Sequence, residues 1–177
     1  MRDRRVLLLG MMGAGKTSVG RAIEARTGWP YRDNDEAVAA LTGLPTQGLQ
    51  EQRGTEALRL AESQVLHDAL VAAPPYVAGV AGGVVESEAD VQALRDGDAF
   101  VVYLHTPIDE LVRRVGDGGG RPFLQPDPEA ALRRLYAGRE PLYRAVADLV
   151  VDTSTGDAAS HADQVVRALD GAADDQV

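Results

Sequence analysis

The sequence predicts an α/β domain in which a central parallel sheet of about five strands is covered by helices on both faces. Three observations carry that expectation. Short apolar runs alternate with amphipathic stretches from one end of the chain to the other. The runs are nearly continuous in apolar residues, as strands buried on both faces must be. The length of 177 residues, 45% hydrophobic and 25% charged, suffices for one core and is too short for two ordinary domains with a linker.

The elements follow in order. Residues 6–9, Val-Leu-Leu-Leu, form a short buried strand, and 16–27 reads as a helix. Residues 30–32 make a brief second strand, entered from the turn at Thr27-Gly28. Residues 36–42 are helical, with Gly43 as the stop signal. The 55–71 stretch carries Leu58, Ala61, Val65 and Leu66 on one helical stripe. A third strand over 76–80 ends at Gly82-Gly83, and Ser87 is an N-cap for a helix over 88–95. Residues 100–104, Phe-Val-Val-Tyr-Leu, are the clearest strand. Pro107 suits the first position of the next helix, which runs to about 115. The glycine-rich segment 116–122 begins a mobile lid expected over about 116–127. A helix over 128–146 with an internal Pro141, a strand over 149–152 and a helix over 161–169 complete the chain. Fraying is expected from Gly171, so the single domain spans 1–172 and leaves 173–177 as a tail.

Charge and composition exclude several functions. The net charge of −9, from 27 acidic and 18 basic residues, opposes nucleic acid or an anionic membrane as the main partner. Zero cysteines exclude a disulfide scaffold and cysteine-ligated metal. The basic, apolar start runs into a glycine loop rather than a cleavage site, so a cytoplasmic protein is expected. No segment approaches the ~20 apolar residues of a membrane span. Lys16 is the only lysine; all the other basic residues are arginine. A compact ammonium kept at one position points to chemistry that a guanidinium does not supply in a tight loop.

That lysine lies in Gly10-Met11-Met12-Gly13-Ala14-Gly15-Lys16-Thr17, which satisfies G-x-x-x-x-G-K-[ST] between a strand and a helix. Glycines let successive backbone N–H groups converge on phosphate oxygens, and the helix N-terminus adds positive charge. Lys16 then bridges the β- and γ-phosphates of a nucleoside triphosphate, and the Thr17 hydroxyl is placed for Mg²⁺. A guanine-reading N-K-x-D is impossible with the only lysine at 16. Leu104-His105-Thr106 does not provide the acidic strand end of larger ATPases. A small phosphotransferase remains.

The acceptor side is read from scattered residues. Asp33-Asn34-Asp35 falls at the end of the second strand, where open α/β sheets bind ligands. On an extended segment both carboxylates would face the phosphate loop, one to hold metal-bound water and one to accept a hydroxyl proton. The same acids would equally cap the helix that follows. Arg59 and Glu62, three apart, share a helix face as a site pair or a surface ion pair. Gly82-Gly83 admits close backbone approach or is a plain turn. Arg121 suits a lid that closes a cation onto phosphate, and Arg139 suits a fork onto a carboxylate. His67, His105 and His161 have no ligand-like spacing.

From about Arg5 to Thr153 the order of these features resembles the shikimate kinase family. G-M-M-G-A-G-K-T is similar to that family's phosphate loop, and Asp33-x-Asp35 to its D-x-D. Leu58-Arg59-Leu60-Ala61-Glu62 resembles F-R-x-x-E, Ala81-Gly82-Gly83 the G-G-G, Arg121-Pro122 the lid's R-P, and Arg139-Glu140-Pro141-Leu142-Tyr143 the R-x-P-L-Y. The resemblance implies a P-loop kinase fold and transfer of phosphate from ATP to the 3-hydroxyl of shikimate; a monomer is expected. It implies nucleotide contacts at Gly13, Ala14, Gly15, Lys16, Thr17, Ser18, Arg114 and Arg121, with Mg²⁺ near Thr17 and Asp33. It implies shikimate contacts at Asp35, Arg59, Glu62, Gly82, Gly83 and Arg139, and catalytic roles for Lys16, Asp35 and Arg121. Ala81, Thr55 and Leu58 depart from the pattern around the acceptor, as do residues 154–157 after the last strand. A kinase of another polyol, of gluconate-kinase type, and a silent nucleotide-binding homologue stay open as alternatives.

Overall fold

The computed structural model describes residues 3–116 and 127–174. Its five strands are β1 (Arg5–Leu9), β2 (Tyr31–Arg32), β3 (Tyr76–Gly79), β4 (Ala99–His105) and β5 (Leu149–Asp152). They form one parallel sheet in the order β2-β3-β1-β4-β5. β1 lies at the centre, with Leu7 registered against Ala78 on one side and Val101 on the other. Val6 to Leu9 are fully buried, which is why this strand is apolar at every position rather than at alternate ones.

The helices are α1 (Lys16–Thr27), α2 (Asn34–Thr42), α3 (Thr46–Val71), α4 (Glu88–Asp96), α5 (Ile108–Val115), α6 (Pro128–Val146) and α7 (Ala158–Asp174). α1, α6 and β5 have the boundaries that periodicity predicts, and Ser87 caps α4 by accepting a hydrogen bond from the Asp90 amide. The chain after β1 leads through α1 to β2 on one side, whereas the chain after the adjacent β3 crosses to β4 on the other. The crevice at the carboxyl ends of β1 and β3 is therefore the topological switch point, where such sheets bind ligands. A second apolar cluster of Val38, Leu49, Leu58, Ala61 and Val65 joins α2 to α3 and makes the wall facing that crevice.

Four expectations need correction. The 33–35 segment is not extended: α2 begins at Asn34, two residues before the predicted start, because Asp33 caps it and accepts from the Asp35 amide. Helical structure also covers Thr46 to Arg53, ahead of the predicted 55–71 helix. It joins the longer part at a bend where Gly54 has φ +86°. A short 3₁₀ turn, Val84–Glu86, follows the glycine pair. α7 is longer than predicted at both ends and continues past Gly171. The lid expectation, with Arg121 and Pro122, and the last residues, 175–177, fall outside the described residues.

Candidate active site

The loop after β1 wraps onto the N-terminus of α1. Gly15 caps the helix at φ +93°, a left-handed conformation that glycine adopts without steric cost. The Lys16 ammonium donates to the backbone carbonyls of Gly10 and Met11 at 2.8 and 3.1 Å. Burial lowers its pKa from the ordinary lysine value to about 8, against the opposing pull of Asp33 and Asp35. The side chain is thus held in the loop yet only partly compensated, a state that an added phosphate charge would relieve.

Asp33 stands across from this loop. Its Oδ2 accepts from the Thr17 hydroxyl at 2.7 Å and from the Tyr31 phenol at 3.1 Å, and its Oδ1 from the Asp35 amide at 2.9 Å. Burial acts to raise its pKa, but these hydrogen bonds and the Lys16 charge outweigh it and keep the carboxyl below its usual range. The two residues predicted to hold Mg²⁺ are therefore in direct contact, and both offer the hard oxygen donors that the ion prefers. Among the described residues no group of three or more His, Cys, Asp or Glu side chains forms a metal cluster. Asp35, one residue into α2, is exposed and accepts from the Asn34 side-chain Nδ2 at 3.1 Å. The cap and the site are the same structure: helical geometry still leaves both carboxylates on one cleft.

On the far wall the arginines are paired with acids. Arg59 of α3 donates to Glu62 at 2.6 Å. Glu62 is buried, and desolvation raises its pKa despite the neighbouring guanidinium. Arg139 of α6 is only 4% exposed, and its Nε and one terminal nitrogen form a two-pronged bond to Glu86, both at 2.9 Å. The second terminal nitrogen of that arginine lies beside Gly82. The Tyr143 hydroxyl donates to the Gly82 carbonyl at 2.7 Å, tying α6 to the glycine pair. Gly83 is needed for close approach, since a Cβ there would sit 2.1 Å from an Arg59 nitrogen.

The loop, the acids at the start of α2 and the two arginines open onto one cleft of about 660 Å³. It brings together Gly13, Gly15, Lys16, Thr17, Ser18, Asp33, Asp35, Arg59, Glu62, Gly82, Gly83 and Arg139. Ala14 is buried beneath the loop and does not line it. Arg114 lies behind the loop rather than in the cleft, donating to Glu110, the Gly13 carbonyl and the Thr153 carbonyl. Three of the departures also gather here: Thr55, Leu58 and Ala81 line the same cleft. Among the described residues no non-glycine residue has positive φ, so Ala81 fits its turn without backbone strain. Sequence reasoning missed Asn34, Gln47, Gln50 and Arg134 in the lining, and Glu86 behind it. Arg134 is one arginine among many and carries no local signal. Gln47 and Gln50 belong to the helical segment that was not foreseen.

Comparison with known proteins gives a consistent picture. The shikimate kinase family model matches residues 12–170. The shikimate kinase of Halorhodospira halophila is 40% identical over 168 residues, covering 94% of each chain. That of Neisseria meningitidis serogroup C is 39% identical over 151 residues, covering 85% of this chain and 88% of the other. The solved structure of the shikimate kinase from Acinetobacter baumannii, in complex with shikimate, has a TM-score of 0.85 at 32% identity. It covers 93% of this chain and 91% of that one.

Proposed function

The chain belongs to the shikimate kinase family, and we propose that it transfers the γ-phosphoryl group of ATP to the 3-hydroxyl of shikimate, giving shikimate 3-phosphate and ADP. One observation carries the reading. A single cleft is lined by a phosphate loop, by Asp35 and by two acid-supported arginines, Arg59 and Arg139. Such a cleft suits an acceptor that combines hydroxyls with a carboxylate.

Each residue then has a task. Backbone N–H groups from Gly13 to Thr17 hold the phosphates, and Ser18 extends that contact along α1. The Lys16 ammonium neutralises charge on the transferring group. Arg59 and Arg139 take the shikimate carboxylate, Glu62 orients Arg59, and Gly82-Gly83 lets the ring lie close to backbone. This places the 3-hydroxyl beside Asp35. As the oxygen forms its bond to phosphorus and the bond to the ADP oxygen breaks, Asp35 accepts the hydroxyl proton. Arg121 closes a cation over the transferring phosphate, and Arg114 steadies the nucleotide end from behind the loop. Thr17 and Asp33 would hold Mg²⁺, which would supply charge neutralisation for the phosphates. All these residues belong to one chain, so a monomer suffices for the reaction. No described helix is long and apolar enough to cross a membrane, and the small, polar substrates suit a cytoplasmic enzyme.

The test is coupled ADP release with MgATP and shikimate, with gluconate, quinate and nucleoside monophosphates run in parallel. Turnover confined to shikimate is expected. ATP binding without shikimate turnover, or preference for a carboxylate-free polyol, would overturn the assignment.

A further inference from the structure

Glu86 has been given no task of its own so far, yet it reaches both cleft arginines. It ends the 3₁₀ turn after the glycine pair, with its amide donating to the Gly83 carbonyl at 3.0 Å. Its two oxygens take Nε and one terminal nitrogen of Arg139, and the oxygen bonded to that terminal nitrogen lies 3.9 Å from a terminal nitrogen of Arg59. Glu62 holds Arg59 from its other side at 2.6 Å. The result is a row of alternating charge, Glu62–Arg59–Glu86–Arg139.

Position decides what Glu86 does there. Arg139 and Arg59 line the main cleft, whereas Glu86 does not. It lines an adjoining hollow of about 290 Å³, together with Glu56, Ser63 and Asp90. Glu86 therefore meets Arg139 outside the cleft lining, and the other terminal nitrogen of Arg139 lies beside Gly82 at the cleft wall. A two-pronged bond sets the plane of a guanidinium as well as its position. A carboxylate between two guanidinium groups also offsets the repulsion that would drive them apart before an anion binds.

We propose that Glu86 is a positioning residue of the acceptor site, which fixes the plane of Arg139 and its spacing from Arg59 so that the remaining N–H groups of both form a ready seat for a carboxylate. The effect on turnover rests on shikimate being the acceptor, and the geometric effect does not. In Glu86→Gln, one prong is lost and an amide N–H faces the guanidinium. The apparent KM for shikimate is expected to rise about tenfold, while the KM for ATP stays constant and kcat at saturating shikimate falls by less than the KM rises. In the Arg139→Lys background the same substitution should change the KM little, because the group it positions is gone. An unchanged KM in the single variant would make the pair a structural tie only. A lowered KM would make Glu86 a competitor of the substrate carboxylate, and either result overturns the proposal. A crystal structure of Glu86→Gln separates this from the choice of acceptor: Arg139 should be turned out of its plane, and an unmoved guanidinium overturns the proposal. If the unaltered enzyme fails on shikimate while Arg139 is turned in the variant, the acceptor assignment fails and the positioning role stands.

Discussion

Replacing Gly83 with alanine tests the acceptor site through one added methyl group. Gly83 has φ −84° and ψ −9°, which alanine adopts without penalty, so the backbone itself is not perturbed. The new Cβ would lie 2.1 Å from one Arg59 nitrogen, 2.5 Å from its Cζ and 3.0 Å from the other terminal nitrogen. Those overlaps fall on the far end of a flexible side chain, so the guanidinium moves and the turn stays. Once displaced, Arg59 does not keep its 2.6 Å bond to Glu62 and also reach the substrate carboxylate. One charge-assisted hydrogen bond, worth about 1.5–3 kcal/mol, is then missing from the complex. Arg59 is 41% exposed, so the lower end applies, and about 1.4 kcal/mol corresponds to tenfold. Initial rates of ADP release, with shikimate varied at saturating MgATP, should show a KM for shikimate raised about tenfold. The KM for ATP should hold, and the loss of an ion pair whose Glu62 partner is buried should cost about 1–3 kcal/mol of stability. The double variant Gly83→Ala/Arg59→Ala should be no worse than Arg59→Ala alone. An unchanged KM in Gly83→Ala, or additive losses in the double variant, would refute the placement of Arg59 at the carboxylate.

Two further outcomes follow from Lys16. Lys16→Ala should lower kcat by about two to three orders of magnitude. Its thermal midpoint should stay close to that of the unaltered protein, because the lost bonds to Gly10 and Met11 are offset by relief of a charge that burial penalises; near-full activity would remove Lys16 from the chemistry. The second outcome concerns pH. With its pKa lowered to about 8 by burial, Lys16 in the free enzyme loses its proton above that pH, although Asp33, Asp35 and Glu62 favour the charged form. The bound phosphates also favour the ammonium, so nucleotide binding takes up a proton there. ATP affinity measured by calorimetry should therefore weaken as pH rises above about 8, with proton uptake on binding; a flat affinity from about pH 7 to 9.5 would contradict it.

Much of the site was legible in the chain because its parts are contiguous. Gly10 to Thr17 place a strand end, a left-handed glycine, an ammonium and a hydroxyl in eight consecutive residues, and such local stereochemistry needs no distant partner. The apolar runs of β1 and β4 and the boundaries of α1, α6 and β5 follow from the same short-range rules. Asp33 and Asp35 do share the cleft, but not through the extended segment that the sequence suggests. A two-residue strand is too short to carry its extended conformation past Asp33, and the cap that Asp33 itself forms turns the chain into α2.

What only the tertiary structure decided is which charges meet. Glu86 and Arg139 are 53 residues apart and Tyr143 and Gly82 are 61 apart, and nothing near any of them in the chain marks the contact. Sequence alone determined the parallel α/β class and placed Lys16 in a loop of phosphate-binding pattern, with acids and arginines set at intervals along the chain. The sheet order decided the rest. By placing β3 beside β1 and sending their following loops to opposite sides, it opened one crevice onto which α2, α3 and α6 deliver their side chains. Periodicity reports which face of an element is buried, and the partner across the cleft depends on the closure of the whole chain around the sheet.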